Sequence, residues 1–280
     1  MKVLVTGGEG FVGHHLSKRL INLGHEVTIL DKFRPGELKR DKLNATYNLL
    51  GTKNISQLST DFDWIFHLGE YSRVENSFTH TKQVWESNVA GTTAVVEFAI
   101  ACNAKLIYTC TSSATASEGA YLSPYTWSKV RNADLIKASG KWFDLDYAIC
   151  YLYNVYGGTE NSTGNFATVI AKWKKLAKQG SPLPVTAPGN QRRYFTHIED
   201  VVDGLIIVAE KGHGDNYGIG ADRSYSMLQV AQMFNSEIRM TPEVQGNRTT
   251  SALLTKKTKK LGWMPEIDLR QHIQEWLDEV

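Results

Sequence analysis

The stretch Thr6-Gly7-Gly8-Glu9-Gly10-Phe11-Val12-Gly13 directly follows the apolar run of residues 3–5. In a strand–turn–helix unit, glycines at 7, 10 and 13 permit a tight turn, a close approach of backbone N–H groups to a pyrophosphate, and close packing of helix on strand. The helix that opens with Phe11 and Val12 then turns its N-terminus toward the phosphate charge. At the end of the next apolar run, residues 27–30, stands Asp31, placed to accept hydrogen bonds from an adenosine ribose. A glycine triplet alone marks many ordinary turns. Strand, helix and acid together point to a dinucleotide-binding unit. Asp31 would bond the ribose 2′-hydroxyl of NAD and repel the 2′-phosphate of NADP, a repulsion that Lys32 and Arg34 only partly offset, so NAD is the expected cofactor.

A second group lies in Pro124-Tyr125-Thr126-Trp127-Ser128-Lys129, where Tyr125 and Lys129 stand one helical turn apart and share a face. A lysine ammonium there favours the phenolate, drawing a tyrosine from its ordinary pKa of about 10 toward neutrality, with a cationic nicotinamide adding to the pull. Such a tyrosine can take the proton of a sugar hydroxyl while hydride leaves the same carbon. A chain this rich in tyrosine and lysine produces such a pair by chance, so the spacing alone decides nothing. Its weight comes from position, downstream of the hydroxyl cluster Thr109-Cys110-Thr111-Ser112-Ser113 that closes an apolar run.

Positioning these groups requires alternating strands and helices. Strands fit residues 2–6, 26–30, 46–50, 64–68, 105–109 and 145–151, with helical patterns over 11–23, 81–103 and 121–139. The alternation predicts an α/β fold, a doubly wound parallel sheet of the Rossmann kind covered on both faces. Ligands of such sheets bind outside the carboxyl ends of the strands, which singles out the glycine loop, Asp31, His67-Leu68-Gly69-Glu70 and the hydroxyl cluster. Helices are expected in the less regular second half at 165–178, 198–210, 227–234 and 269–279. The expected division is an NAD-binding domain over 1–153, joined by parts of 193–213, and a smaller, intimately packed α/β substrate lobe over 154–280.

With 280 residues, 42% of them hydrophobic, and a formal net charge of +2, the chain has a core that needs no disulfide or metal staple. That charge makes no overall electrostatic case for nucleic acid or a membrane surface. Cys102, Cys110 and Cys150 sit in apolar surroundings at no ligand spacing and read as reduced core residues, and no metal site is expected. The sequence opens straight into a strand and holds no apolar run of membrane-spanning length, which reads as cytoplasmic. The run Lys256, Lys257, Lys259, Lys260 reads as a solvated helix face, and Trp142, Trp173, Trp263 and Trp276 read as packing residues.

These residues resemble the extended short-chain dehydrogenase/reductase family, and within it the nucleotide-sugar epimerase/dehydratase branch, UDP-glucose 4-epimerase-like. The resemblance covers most of the chain: the glycine opening, His67-Leu68-Gly69, Asn88-Val89-Ala90-Gly91-Thr92, the hydroxyl cluster, Tyr125 to Lys129, Tyr153-Asn154-Val155-Tyr156-Gly157, Arg193-Tyr194-Phe195-Thr196-His197 with Asp200, and Leu261-Gly262-Trp263 with Pro265. It implies NAD(P) in the N-terminal lobe, a nucleoside-diphosphate sugar in the C-terminal lobe, and a homodimer through the helices near 81–103 and 121–139. Tyr125 would be the general acid/base, and Lys129 would lower its pKa and hold the nicotinamide ribose. Thr111 falls at the catalytic hydroxyl, with Ser112 and Ser113 one or two residues away from the same role. Asn154 and Asn165 match diphosphate-side positions, and Arg193 would neutralise the diphosphate, a task suited to a guanidinium fork.

Departures from the family pattern carry information as well. Gly51 and Thr52 stand where an adenine-binding Asp is usual, and Thr186 where an aromatic beside the base is common. Glu70 replaces a small residue near the cofactor phosphates, where a carboxylate requires Arg73 or a backbone donor to offset it, or else points away to a neighbouring lysine. Dehydration at C4 to C6 needs acids directly after the catalytic Thr, and here Ser112 and Ser113 follow Thr111. The expected reaction is therefore C4 epimerisation of an NDP-hexose through transient hydride transfer and a 4-keto intermediate. A 4,6-dehydratase, a keto-sugar reductase and a non-catalytic dinucleotide sensor are the alternatives.

Overall fold

A computed structural model describes residues 1–38 and 40–280. Strand β1 (Lys2–Thr6) runs through the glycine loop into helix α1 (Phe11–Asn22), which returns to β2 (Glu26–Asp31) and β3 (Thr46–Leu49). β4 (Trp64–His67) follows, then a helical rod that begins at Thr81–Val84, passes through π-helical turns at Trp85–Ala90 and continues as α2 (Gly91–Cys102). β5 (Lys105–Thr111), α3 (Pro124–Trp142) and β6 (Tyr147–Leu152) complete the half that the apolar alternation foretells. Beyond it come α4 (Val169–Lys178), α5 (Ile198–Lys211), β7 (Gly214–Ile219) and α6 (Leu269–Asp278).

Seven strands form one parallel sheet in the order β7-β6-β5-β4-β1-β2-β3. β4 and β5 are buried along their whole length, as strands covered on both faces must be. α1 and α5 cover one face through Leu16, Leu20, Val201 and Leu205. α2 and α3 cover the other through Val95, Ala99, Ala133 and Ile136. A third core, around Trp173, Phe195, Tyr225, Phe234 and Ile273, belongs to the C-terminal segments. Winding reverses between β1 and β4, so their carboxyl ends, Thr6 and His67, flank the crevice where such sheets take ligands.

Local chemistry sets the element ends, and some differ from the sequence reading. α3 begins at Pro124 rather than 121 because the Ser123 hydroxyl accepts the Thr126 N–H at 3.0 Å and proline occupies the first turn. Residues 119–122 form a separate 3₁₀ turn. α4 begins at Val169, capped by Thr168, so Asn165 lies in the preceding turn and not in the helix. Trp142 is not a packing residue: it is 67% exposed, edge-on to exposed Phe143. Among the described residues no helix is long and apolar enough to cross a membrane, and no cluster of His, Cys, Asp and Glu could hold a metal.

Candidate active site

The glycine loop is closed so tightly that side chains are excluded from it. Gly7 has φ +72°, and a Cβ there would lie 2.8 Å from the Gly69 backbone; a Cβ at Gly13 would lie 2.1 Å from the Gly7 carbonyl oxygen. Gly10 caps α1 without a side-chain acceptor, leaving N–H groups of the first turn free to face a ligand. Here opens a cavity of about 500 Å³, and every residue expected to bind the cofactor lines it: Gly7, Gly10, Phe11, Val12 and Gly13 from the loop, Asp31 and Lys32 after β2, Leu68, Gly69 and Glu70 after β4, and Tyr125 and Lys129 on α3. Gly51 and Thr52 line it too, at the place expected of the adenine subsite. Asp31 accepts the N–H groups of Glu9 at 3.0 Å and Phe33 at 3.1 Å, while burial raises its pKa above the ordinary carboxylate value. The loop is further held by Arg40, whose buried guanidinium donates to the Glu9 carbonyl at 2.9 Å and the Thr159 carbonyl at 3.0 Å.

The chemical end of the cavity is built by the tip of β5 and the first turns of α3. Thr111 and Tyr125 both line it; Thr111 Oγ1 accepts the Ser113 N–H at 3.2 Å, and the hydroxyl lies close enough to Tyr125 to favour its phenolate. Lys129 points its ammonium at Glu70 Oε2 and at the Thr109 carbonyl, over the Tyr108 ring at 4.7 Å. So the lysine to which Glu70 turns is the one expected to serve Tyr125. Arg73 does not offset Glu70; its guanidinium donates to the carbonyls of Asn165 and Phe166 and lies over the Phe166 ring at 5.9 Å. Lys129 pulls on the Tyr125 phenol in the expected direction, but without NAD its pKa stands above the ordinary value. Burial holds the phenol above its ordinary value, Lys129 and the Thr111 hydroxyl pull it down, and the Glu70 carboxylate pushes it up again. Beneath lies fully buried His67, its ring nitrogens 2.7 Å from Thr6 Oγ1 and 2.8 Å from Thr92 Oγ1, its pKa pushed down to about 4 by burial.

Of the expected substrate residues, Arg73 lines this cavity with Thr111, whereas Ser112, Asn154, Asn165 and Arg193 do not. Ser112 and Ser113 lie behind it, their hydroxyls accepting from the Arg248 guanidinium, Ser112 at 3.0 Å. Arg193 lies beside Arg248 and donates to Asn247 Oδ1 at 2.9 Å and to the Arg192 carbonyl at 2.9 Å; burial, with Arg248 adding to it, lowers its pKa to about 9. Arg248 Nε is buried with no partner among the described residues. Asn154 adopts φ +27° and donates to the Tyr194 carbonyl at 2.8 Å. Asn165 is exposed beside Arg73. Sequence reasoning missed Arg248, which sits on an irregular segment with no pattern to read, and also Asn132 and Thr92. Asn132 was findable, since it continues the Tyr125–Lys129 face by one turn.

A family profile for NAD dependent epimerases/dehydratases matches residues 3–220. The chain belongs to that family. The family takes NAD as its cofactor, and the glycine cradle, the free helix N-terminus and Asp31 fit it. A UDP-N-acetyl-alpha-D-glucosaminuronate decarboxylase of Bacillus cytotoxicus is 29% identical over 255 residues, 82% of this chain and 78% of that protein. A Methanocaldococcus jannaschii protein provisionally named a UDP-glucose 4-epimerase is 27% identical over 97% of this chain and 96% of its own. In three dimensions the family member is similar to UDP-glucose 4-epimerase of Thermotoga maritima, solved with UDP-glucose, with a TM-score of 0.90, 24% identity and coverage of 99% of this chain and 98% of that one.

Proposed function

We propose that the protein is an NAD-dependent epimerase acting at C4 of a nucleoside-diphosphate hexose, an isomerase like the UDP-sugar 4-epimerases. One arrangement carries the reading: Tyr125 and Thr111 together in the wall of the cavity that opens from the glycine loop, with Lys129 one helical turn from Tyr125 in the same wall. NAD, when bound, supplies the acceptor and later the donor of hydride. Tyr125 would take the C4 hydroxyl proton and return it once the keto-sugar has turned over, while Thr111 bonds the same sugar oxygen. Arg193 and Arg248 would take the diphosphate, because their buried guanidinium groups bond only neutral oxygens of the protein and so keep their charge for an anion.

Dehydration would need a free acid and base near C5 and C6. Ser112 and Ser113 are engaged by Arg248, and the acid beside Tyr125, Glu70, is committed to Lys129 and Asn132. Decarboxylation of a uronic sugar, named for the Bacillus cytotoxicus relative, would begin with the same oxidation, since a C4 ketone lies β to a C6 carboxylate. NMR of purified protein incubated with UDP-hexoses and UDP-hexuronates separates these reactions. The C4 epimer is expected; a 4-keto-6-deoxy sugar or a pentose without it would refute the reading. We further propose that residues 1–153, with α5 and β7, form the NAD-binding domain and the rest the substrate lobe. A homodimer through the Thr81–Cys102 rod and α3 is proposed as well, supported by Trp85 and Trp127, which stack edge-on at 5.5 Å and remain 40% and 37% exposed.

A further inference from the structure

Glu70 lies on the loop after β4 with its side chain only 2% exposed, and its two oxygens are divided between partners. Oε2 pairs with the Lys129 ammonium. Oε1 accepts from Asn132 Nδ2 at 2.8 Å, the Thr92 hydroxyl at 3.0 Å and the Tyr108 hydroxyl at 3.2 Å. Donors from α2, β5 and α3 thus fix the carboxylate in one orientation. Lys129 has in turn given N–H bonds to Glu70 and to the Thr109 carbonyl. A buried ammonium matched by a carboxylate presents its neighbours with an ion pair rather than a bare cation, and its pull on a nearby phenol is correspondingly weaker.

We infer that Glu70 is a positioning residue for the acid–base tyrosine: by matching the charge of Lys129 it keeps Tyr125 a phenol in the resting protein, where Arg73 and Arg248 already face it, and makes phenolate formation depend on the further positive charge of the oxidised nicotinamide. The inference rests on the reading of Tyr125 as the acid–base residue. Other titratable groups face Tyr125 from the surrounding elements: Cys110 and Tyr108 on β5, Arg73 on the loop after β4, and Arg248 from the C-terminal segment. Burial pushes the Cys110 thiol up to about 12 and the Tyr108 phenol well above its usual range, so both stay neutral where Tyr125 works. Glu70 is thus the anion that opposes Lys129, and removing its charge while keeping its shape isolates the effect.

NMR of NAD-free protein carrying isotope-labelled tyrosine, with Tyr125→Phe identifying the signal, reads the ionisation directly. Tyr125 of the unaltered protein should ionise above the ordinary value of about 10. Glu70→Gln, which keeps an acceptor for Asn132, should lower the midpoint by at least about one pH unit. In turnover, the acid limb of kcat/KM should move to lower pH in the same variant, a shift that a merely structural role would not produce. An unchanged midpoint in Glu70→Gln overturns the inference. So does ionisation below the ordinary value in the unaltered protein, which remains decisive even if the variant does not fold. Because the titration needs no sugar, failure of the C4 epimerase reading would leave its result standing.

Discussion

Phenylalanine at position 125 would keep the ring in its buried seat and remove one oxygen. If that oxygen moves the proton, Tyr125→Phe should lower kcat by about 10²–10⁴-fold and leave NAD binding intact. Steady-state kinetics paired with NAD titration calorimetry reads both quantities. A variant with unaltered turnover would take Tyr125 out of the chemistry. Arg248 makes a different case, because its proposed anion is bound equally before and during reaction. Arg248→Ala should raise KM for the sugar nucleotide by about 10–100-fold, the size of one or two charge-assisted hydrogen bonds, with a smaller change in kcat. An unaltered KM would place the diphosphate elsewhere. The same guanidinium holds Ser112 and Ser113, so the substitution also frees their hydroxyls behind Thr111.

Among the elements, the β1–α1 turn has the least room to change. A methyl group at Gly13 would meet the backbone carbonyl of Gly7, which cannot swing aside as a long side chain could. Gly13→Ala should therefore weaken NAD binding at least about tenfold and destabilise the fold by about 1–3 kcal/mol, measurable by ligand titration and thermal melting. Unchanged affinity would mean that the turn tolerates a shift and that the cradle is not shaped as described. This turn was legible in the sequence because its determinants are local: a strand, three glycines and a helix within a dozen residues. The parallel strands were legible for a related reason, since strands covered on both faces must be continuous apolar runs. The pairing of Glu70 with Lys129 was not, for the two sit on the loop after β4 and on α3, and only the sheet order brings them together. Asn165 was misplaced by four residues because the Thr168 cap, rather than the apolar pattern, decides where α4 begins. Arg193 was singled out as a candidate by its motif, while Arg248 lies on a segment whose course is set by contacts to distant residues and carries no period.

At the scale of the whole molecule, two properties follow from what is exposed and what is buried. If Trp85 and Trp127 mark the face joining two copies, Trp127→Glu should shift sedimentation from dimer to monomer; a wild-type protein that is monomeric at all concentrations would refute the interface. The dependence of stability on pH follows from the buried imidazoles. His14 and His67 are 4% and 0% exposed, and burial above all lowers both to about 4, whereas in an unfolded chain each protonates near the ordinary value of about 6.5. Between those values the unfolded chain holds more protons than the folded one. Their contribution to stability is thus complete above about 6.5 and is lost as pH falls toward about 4, with a slope of up to about 1.4 kcal/mol per pH unit for each ring. His15, His25, His197 and His272 are lowered as well, each first by burial, and add in the same direction. The raised carboxyl groups of Glu9, Asp31, Glu160 and Asp200 act with the opposite sign, since their folded forms bind the extra proton, and they titrate upward from the ordinary carboxylate values near about 4. A urea midpoint measured near pH 5.5 should consequently fall below that measured near pH 7.5, because over that interval the histidine terms dominate. Equal midpoints would mean that the rings take up protons without unfolding, and that the polar seat of His67 between Thr6 and Thr92 accommodates a cation.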